Sequence, residues 1–501
     1  MKRRRVDVNL NELDQLLDQA RESPLSEPDC NKIKTALHTL AQLLQPRTSE
    51  KTREVVERPE SSQPEQNEQQ DKSNGHGRNP ASAYQGANKV PVAHAELKHG
   101  APCPDCGKGK VYTQKEPKPL VRIVGQAPLQ ATVYELERLR CNACGQIFTA
   151  LEPEGVGPEK FDETAAAMIA LLKYGSGVPF NRQKDLESRM GIPLPATTLW
   201  EVVEEAADLV KPARDELIRQ AAQGELVHND DTSMRVLKLE RPPEDERTGV
   251  FTSGVISIGG GHRIALFFTG REHAGENLAT VLSKRARSLA APVQMCDALS
   301  RNEPKLGAGV QILLANCLAH GRRQFVDVAA SFPEQCRYVL ETLGEVFAHD
   351  AEARKRGLSA AERLAFHQKS SGPLMEQLRK WCQDQLAHKK AEPNSGLGQA
   401  IRYLERHWNP LTLFLRVAGA PLDNNVCERA LKKAVLHRKN ALFYRTAHGA
   451  EVGDIFMSLI HTCELNEVNS FEYLVALQRH AADLAVSPAE WMPWNFDAAG
   501  K

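Results

Sequence analysis

Residues 224–319 constrain the fold most, because within this stretch a largely helical chain changes to strand-like texture. Apolar runs occur in ELVHNDDTSMRVLKLE, GVFTSGVISIGGGHRIALFFTG, APVQMCDALS and VQILLANCLA, with a helical AGENLATVLSKRA between the second and third. Three strands, a helix and two further strands predict a β-rich core with a parallel component, not a helical bundle. The GGGH at 259–262 predicts a hairpin turn, since no Lys-Ser/Thr follows it as in a phosphate loop.

Length and composition exclude several classes of protein. The 501 residues suffice for about three domains of ~150 residues each. Basic and acidic residues number 64 each, so a polyanion-binding surface has to come from local clusters. No window approaches the ~18 apolar residues of a membrane span, and no apolar segment follows the basic start Met1–Arg5. We therefore expect a soluble, cytoplasmic protein without a membrane partner.

The N-terminal hundred residues divide into two parts. Leucines at helical spacing predict two amphipathic helices in residues 1–46, which form either a hairpin with its own core or a self-association coil. Residues 47–100 are predicted to be a disordered linker, because no aliphatic or aromatic residue occurs between Glu57 and Pro80.

Two Cys-x-x-Cys pairs indicate a zinc ribbon in residues 101–155. Four of the eleven cysteines lie in CPDCGKGKVY and CNACGQIF, with β-prone residues between the two segments. Tight pairs of this kind suit metal thiolates in a reducing compartment better than disulfides. The predicted tetrahedral ligands of a structural Zn²⁺ are Cys103, Cys106, Cys141 and Cys144. Because such a site is closed, we assign it no chemistry; the alternative is four unligated cysteines in surface turns.

Residues 156–222 are predicted to be helical and to bind DNA. NRQKDLESRMG, the turn IPLPA and TTLWEVVEEAADLV have the shape of a helix-turn-helix. The second helix would present Thr197 and Thr198 to the major groove, with Arg182 on the preceding helix as a further contact. A three-helix packing module explains the same residues nearly as well.

Acidic residues at two strands and one helix suggest a metal centre. The pair Asp230 and Asp231 lies in a strand-like run, Asp297 follows another apolar strand, and Glu428 begins a predicted helix. Carboxylates brought together in this way make an oxygen-rich cage for two Mg²⁺ ions, or for Mn²⁺, and suit displacement at phosphorus. Acidic residues alone are a weak signal, because most of them are solvated surface groups.

Basic residues near these carboxylates suggest a phosphate-binding surface. The predicted DNA contacts are Arg322, Arg323, Arg429, Lys432, Lys433, Arg438 and Lys439, with Arg445 beside them. Such a row holds a DNA backbone by salt-sensitive, sequence-independent contacts, and its alternative is a solvated helix face.

Cys317 and His320 have a metal-ligand spacing, but core packing with a hydrogen-bonded histidine is the favoured interpretation.

A resemblance to a known family gives these motifs a context. HNDDTSMRV, MCDALS, CLAHGRRQF, LDNNVCERALK, HRKNALF and DIFMSLIHTCELNEVNSFEYL occur in order and resemble the motifs of transposases of the bacterial insertion-sequence family sixty-six. HGRNPASAY and CPDCGKGKVY resemble that family's linker and zinc-ribbon segment, so that the likeness spans roughly residues 75–475.

The resemblance implies a multidomain α+β protein. Its ribonuclease-H-like α/β catalytic core would occupy residues 223–325, with the helix that carries the third carboxylate at 421–480. A helical insertion at 326–420 would separate the two parts, and residues 481–501 would form a C-terminal tail. The zinc ribbon and the helical DNA-binding domain would precede this core.

The resemblance also implies a catalytic Asp-Asp-Glu triad of Asp230, Asp297 and Glu428, which would hold the Mg²⁺ ions. Asp231 stands where the family usually has Glu, so it is not excluded as a ligand, although strand alternation points it away from Asp230. Asp423 is the rival third ligand, but it precedes the first helical turn and suits a helix cap better.

The favoured function is that of a DNA transposase that binds terminal inverted repeats, cleaves DNA strands and joins them to target DNA. The alternatives are a transposase-derived DNA-binding regulator without catalysis and a ribonuclease-H-like nuclease. We expect a homo-oligomer on double-stranded DNA, companion proteins from the same element, and a nucleoid-associated location in the cytoplasm.

Overall fold

The computed structural model describes residues 159–239, 247–307 and 310–496 continuously, together with residues 20, 55, 90–106, 108–114, 120, 122–123, 127–140, 142, 144 and 146–154. The predicted N-terminal leucine helices and most of the predicted linker lie outside the described residues. Pro59–Pro128 and Leu129–Lys501 belong to two separate compact units. Within the described part of the chain, each helix is too short or too polar to cross a bilayer.

The sheet predicted from the strand-like stretch is present. Its strands are β3 (Leu226–Ser233), β5 (Phe251–Gly259), β6 (His262–Gly270), β7 (Val293–Cys296) and β8 (Leu313–Asn316). The spatial order is β6-β5-β3-β7-β8, in which the first three strands are antiparallel and the last two run parallel to β3. Short pairs are formed by β1 (Arg138–Arg140) with β2 (Ile147–Thr149) and by β4 (Val236–Lys238) with β9 (Tyr444–Thr446).

The hairpin between β5 and β6 is the turn that the glycine run predicts. Gly259 pairs with His262, and Gly260 and Gly261 between them have φ values of 59° and 82°. Positive φ at both central residues is the requirement of a tight type I′ turn, which glycine meets without strain.

Helices precede, interrupt and follow the sheet. Their bounds are α1 (Glu163–Ala170), α2 (Phe180–Arg189), α3 (Ala196–Ala221), α4 (Ala274–Leu282), α5 (Leu318–Val328), α6 (Pro333–Lys355), α7 (Ala360–Ala387), α8 (Gly396–Arg406), α9 (Trp408–Leu411), α10 (Asn425–Ala441), α11 (Ala447–Leu465), α12 (Ser470–Arg479) and α13 (Ala481–Val486). A π-helical turn, Leu171–Gly175, continues α1.

Two apolar cores hold this unit together. One joins the antiparallel strands to α1–α4 and α10–α12, and the other joins β7 and β8 to α5–α9. The long helix α3 contributes a continuous buried stripe that includes Leu199, Val203, Val210 and Leu217. The helices predicted as a DNA-binding module therefore share one core with the sheet.

Candidate active site

Asp230 lies on the central strand β3, just beyond the segment of β3 that pairs with the parallel strand β7. Its Oδ1 accepts a hydrogen bond of 2.8 Å from the backbone N–H of Asp231. Burial, and after it the negative charge of Asp297, raise the pKa of Asp230 from its ordinary value of 3.8 to about 7. The negative charge of Asp297 thus disfavours ionisation of the neighbouring Asp230 carboxyl.

Asp297 directly follows β7, and a buried amide links it to Asp230. The Nδ2 of Asn302 donates to the Oδ1 of Asp230 at 3.2 Å and also to the Oδ1 of Asp297. Asn302 is fully buried, and its backbone carbonyl accepts 2.8 Å bonds from the side-chain amides of Asn229 and Gln294. These bonds fix the amide that spaces the two carboxylates.

Glu428 reaches the same place from the first turn of α10, which packs across β3 and β5. Gly254, the register partner of Asp230, permits this approach, because a Cβ there would lie 3.0 Å from Leu431 Cδ2. The thiol of Cys427 donates to the Gly254 carbonyl at 3.4 Å. Asp230 and Glu428 both line an open cleft of ≈ 280 Å³.

Asn424 anchors the start of α10 to the central strand. Its Nδ2 donates to the Asn229 carbonyl at 3.1 Å, and its Oδ1 accepts from Nδ1 of His228 at 2.9 Å. Burial lowers the pKa of His228 to about 4, so the imidazole is neutral at physiological pH. The backbone N–H of Asn424 also bonds Cys317 Sγ at 3.4 Å. These contacts position the backbone at the start of α10.

The two rival acidic residues have other partners. The Asp231 side chain is 1% exposed and meets His273 Nδ1 at 2.8 Å and Arg301 Nη2 at 3.1 Å. Asp423 accepts a 3.0 Å bond from the backbone N–H of Asn425, immediately before α10. Both arrangements follow from position, since side chains alternate along a strand and a helix begins with unsatisfied N–H groups.

His320 and Cys317 lie beside Glu428, a neighbourhood that the sequence interpretation missed. Among the described residues, a Cys317, a His320 and a Glu428 ligand atom lie within 4.8 Å of one another. The Nε2 of His320 is 3.7 Å from Glu428 Oε1, while its buried Nδ1 has no hydrogen-bond partner in the described part of the chain. The expected hydrogen-bonded core histidine is therefore not what the structure has. The Cys-x-x-His spacing was the available signal, but its third member comes from a distant segment.

The predicted basic residues have different surroundings. Arg323 and Lys432 line the cleft beside Asp230 and Glu428, whereas Lys433 forms a 2.8 Å ion pair with Glu464. Arg438 donates to Thr232 Oγ1 at 3.0 Å and so braces the end of β3. Of the remaining predicted contacts, Arg322 is half-buried on α5, and Arg429 and Lys439 are exposed on α10.

The predicted helix-turn-helix residues lie on α2 and α3. These helices are joined by a short turn in which Gly191 has φ 83°, as the sequence pattern predicts. Arg182 and Thr197 are exposed, whereas Thr198 is half-buried. The structure thus leaves Arg182 and Thr197 accessible, while the rest of α3 belongs to the core.

The first cysteine pair has the local form of a metal knuckle. The backbone N–H of Cys103 bonds the Gly109 carbonyl at 2.8 Å, and Pro102 pairs with Lys110. Backbone N–H groups, that of Gly109 above all, lower the pKa of Cys106, which favours a thiolate. Cys144 is exposed, and Cys141 lies outside the described residues, so the four-thiolate set stays a prediction.

The fold and this site define an α/β protein with a mixed five-stranded sheet and an acidic cleft at the ends of its central strands. Residues 159–452 match the family model described as "Transposase IS66 family". The chain belongs to this family, and the resemblance noted from the motifs is confirmed.

Two relatives of this chain are described as uncharacterized proteins. The protein y4hP of Sinorhizobium fredii (strain NBRC 101917 / NGR234), described as uncharacterized, is 27% identical over 418 residues, covering 79% of this chain and 74% of the relative. The uncharacterized protein y4jD of the same organism is 28% identical over 375 residues, covering 72% of this chain and 71% of the relative.

Proposed function

We propose that this protein is a DNA transposase that cleaves and joins DNA strands through Asp230, Asp297 and Glu428. Membership of a transposase family makes DNA its partner. The observation that carries the catalytic assignment is the convergence of distant segments: Asp230 shares a buried amide with Asp297 and a cleft with Glu428. We also propose that the core is ribonuclease-H-like, supported by the mixed sheet and the carboxylates at its strand ends.

The residues of the cleft fit a divalent cation. All three proposed ligands are carboxylates, the donors that Mg²⁺ and Mn²⁺ prefer. The negative charge of Asp297 raises the pKa of Asp230 when no cation separates them, and a cation would relieve that repulsion. Two bound Mg²⁺ ions would supply activation of the attacking oxygen and stabilisation of the leaving oxygen.

The chain's own residues would orient the reacting groups. Asn302 keeps the two aspartates at fixed spacing, and Asn424 holds the first turn of α10 against β3. Arg323 and Lys432 border the cleft, so their positive charge can hold the DNA backbone at the carboxylates. Because Arg438 donates to Thr232, it would stabilise the end of β3 when DNA is not bound.

Recognition of the terminal inverted repeats would fall to other parts of the chain. We propose that Arg182 and Thr197 contact DNA, since both are exposed on helices joined by a short turn. We propose a structural Zn²⁺ on the two cysteine pairs, supported by the knuckle at Cys103 and Cys106. Bringing two DNA ends together would require a homo-oligomer on DNA, with companion proteins from the same element, in the nucleoid of the cytoplasm.

The test separates joining from hydrolysis and from binding alone. A labelled duplex that ends in the element's terminal repeat is incubated with target DNA and Mg²⁺, once with a free 3′-hydroxyl and once with a dideoxy end. A transposase yields joined products only from the hydroxyl end, because that oxygen is the nucleophile. A nuclease would cut both substrates without joining them, and a regulator would bind both unchanged; either result contradicts the proposal.

A further inference from the structure

A second cavity lies near the C-terminal end of α10, whereas Glu428 lies in the first turn of this helix. It has a volume of ≈ 670 Å³ and lies between the π-helical turn, α2, α3, β9 and the start of α11. This volume is in the usual range of ligand pockets, ~300–1,000 Å³. None of its lining residues belongs to the acidic cleft.

The cavity wall is aromatic. Phe180, Trp200 and Tyr444 line it, and the Trp200 indole lies edge-on to the rings of Phe180 and His448, with centroids 6.3 and 6.1 Å apart. Phe443 also lines the cavity and remains 38% exposed. Phe180 and Trp200 are half-buried and Tyr444 is 5% exposed, and aromatic rings around an open space can stack a planar ligand.

A buried cation also lines this cavity. The Lys173 residue is 7% exposed, and within the described chain it has no hydrogen bond or ion pair. Its Nζ lies 5.0 Å from the Phe180 ring centroid, and burial lowers its pKa to about 8. Among the described residues, the ammonium contacts aromatic rings and no hydrogen-bond acceptor, so its place at a cavity points to a ligand with acceptor atoms.

Two features of the backbone shape this site. Lys173 belongs to the π-helical turn, a distortion that occurs frequently at functional sites. At the end of α10, Leu442 takes φ 70°, a region that favours glycine, and the chain then turns into Phe443 and Tyr444 on the cavity wall. Strain of this kind persists where the surrounding structure requires it.

The charge around the cavity suits a nucleic acid. Among the described residues, Lys173, Lys238 and Arg445 line it against a single acid, Glu204, which is hydrogen-bonded to His448 at 2.8 Å. Glu428 and the end of α10 at the cavity lie ~20 Å apart along the helix axis, because an α-helix rises 1.5 Å per residue. This span corresponds to about six nucleotide steps of 3.4 Å.

We propose that this cavity binds one unpaired nucleobase of the DNA, stacked among Trp200, Phe180 and Tyr444, with Lys173 donating to a base acceptor. Arg445 would hold the adjoining phosphate. The inference rests on the proposed function, since it assigns a subsite to DNA engaged at the carboxylates. A duplex base is not accessible to such a wall, so the subsite requires a frayed, flipped or single-stranded nucleotide.

The test compares two duplexes of the same sequence, one blunt and one with a short single-stranded tail that contains 2-aminopurine. The native protein should bind the tailed duplex more tightly and quench the 2-aminopurine fluorescence by stacking. Trp200→Ala should weaken binding of the tailed duplex about ten-fold and leave the blunt duplex unaffected, whereas Trp200→Phe should retain most of the preference. Trp381→Ala is the matched control, a half-buried indole on α7 packed on Tyr338.

Lys173→Met is a second variant that should stay folded, because it removes a buried charge and keeps the side-chain volume. It should raise the melting temperature of the free protein and still lower affinity for the tailed duplex. Equal binding of both duplexes by the native protein, without quenching, would overturn the subsite and leave the proposed function intact. Failure to bind either duplex would contradict the proposed function and the subsite together.

Discussion

At the scale of single residues, the site depends on the effect of the Asp297 charge on the pKa of Asp230. Burial and the neighbouring charge move the Asp230 pKa to about 7, so the metal-free carboxyl is partly protonated at neutral pH. Cation binding therefore displaces a proton, and affinity for Mg²⁺ should fall as the pH drops below 7.

The pH dependence of stability follows from the same shift. The folded pKa lies above the ordinary 3.8, so the Asp230 carboxyl destabilises the fold little at pH 4, increasingly as the pH rises from about 4 to 7, and by a constant amount above pH 7. Asp230→Asn should therefore raise the free energy of unfolding at pH 8, by up to ~4 kcal/mol at 1.36 kcal/mol per pKa unit, and much less at pH 5.

Denaturant unfolding in the presence of a chelator measures this difference. Asp423→Asn is the control, because that carboxylate accepts a local backbone bond at the start of α10. A gain from Asp230→Asn that is the same at both pH values would show that the Asp230 carboxyl does not carry the shift.

Motif order allowed Asp230, Asp297 and Glu428 to be predicted as a set from the sequence. The structure links Asp230 to Asp297 through Asn302 and places Asp230 and Glu428 in one cleft, while their catalytic roles stay a prediction. Asn302 and the neighbourhood of His320 could not be predicted in that way. Asn302 acts through two bonds whose partners meet only when β3 and β7 pair. His320 meets Glu428 only because α5 and α10 converge. Long-range pairing of this kind leaves no local pattern.

At the scale of elements, α10 is placed by the absence of a side chain on β5. Gly254→Val should displace the helix, since the new Cβ would lie 3.0 Å from Leu431 Cδ2 and 3.5 Å from Cys427 Sγ. Overpacking of this kind costs about 1–3 kcal/mol, and displacement of Glu428 should abolish strand joining.

The control for this variant is Gly270→Val, at the end of β6, where a Cβ meets nothing within 4 Å. Melting temperature and the rate of strand joining are measured for both variants. Full joining activity in Gly254→Val would mean that the close packing of α10 is not needed to place Glu428.

The helices between β8 and α10 contain their own buried ion cluster. Asp350 on α6 is 3% exposed and contacts Arg363, Arg354 and His367. Although burial raises its pKa, the bond to His367 and the charge of Arg363 outweigh that effect and lower it. Asp350→Asn should destabilise this helical pair by about 3 kcal/mol, since two arginines lose their buried partner.

Hydrogen exchange locates the effect. Amides of α6 and α7 should exchange faster in Asp350→Asn, while those of β3 and β5 should not change. The control is Asp384→Asn. Asp384 lies on α7 and forms a solvent-accessible ion pair with Lys390, so its loss should leave exchange unaltered. Uniformly faster exchange throughout the sheet would contradict a local role. A helical insertion was expected at 326–420 from the family resemblance, whereas the ion cluster depends on contacts between its helices.

At the scale of the whole molecule, a chain of zero net charge has to bind a polyanion through a local surface. Lys432 borders the acidic cleft, and its neighbour Lys433 is paired with Glu464. Lys432→Ala should reduce the slope of log affinity against log salt by about one, whereas Lys433→Ala should change it less. Equal slopes for both variants in a salt titration would remove Lys432 from the DNA surface.

The arrangement of domains was the hardest part to foresee. The apolar stripe of α3 predicts that the helix is buried, but not against what, and in the structure it packs on α1, α11 and α12 beside the sheet. The strand pattern, by contrast, predicted the sheet well, because period and glycine turns are local properties.

The most direct test of the catalytic triad is a strand-joining assay on three isosteric variants, Asp230→Asn, Asp297→Asn and Glu428→Gln, with Asp423→Asn as the control. Each of the three should lose joining by about a thousand-fold or more, equivalent to several kcal/mol, while DNA binding persists and the control stays active. Joining that survives in any of the three, or is lost in Asp423→Asn alone, would contradict the assignment of the triad.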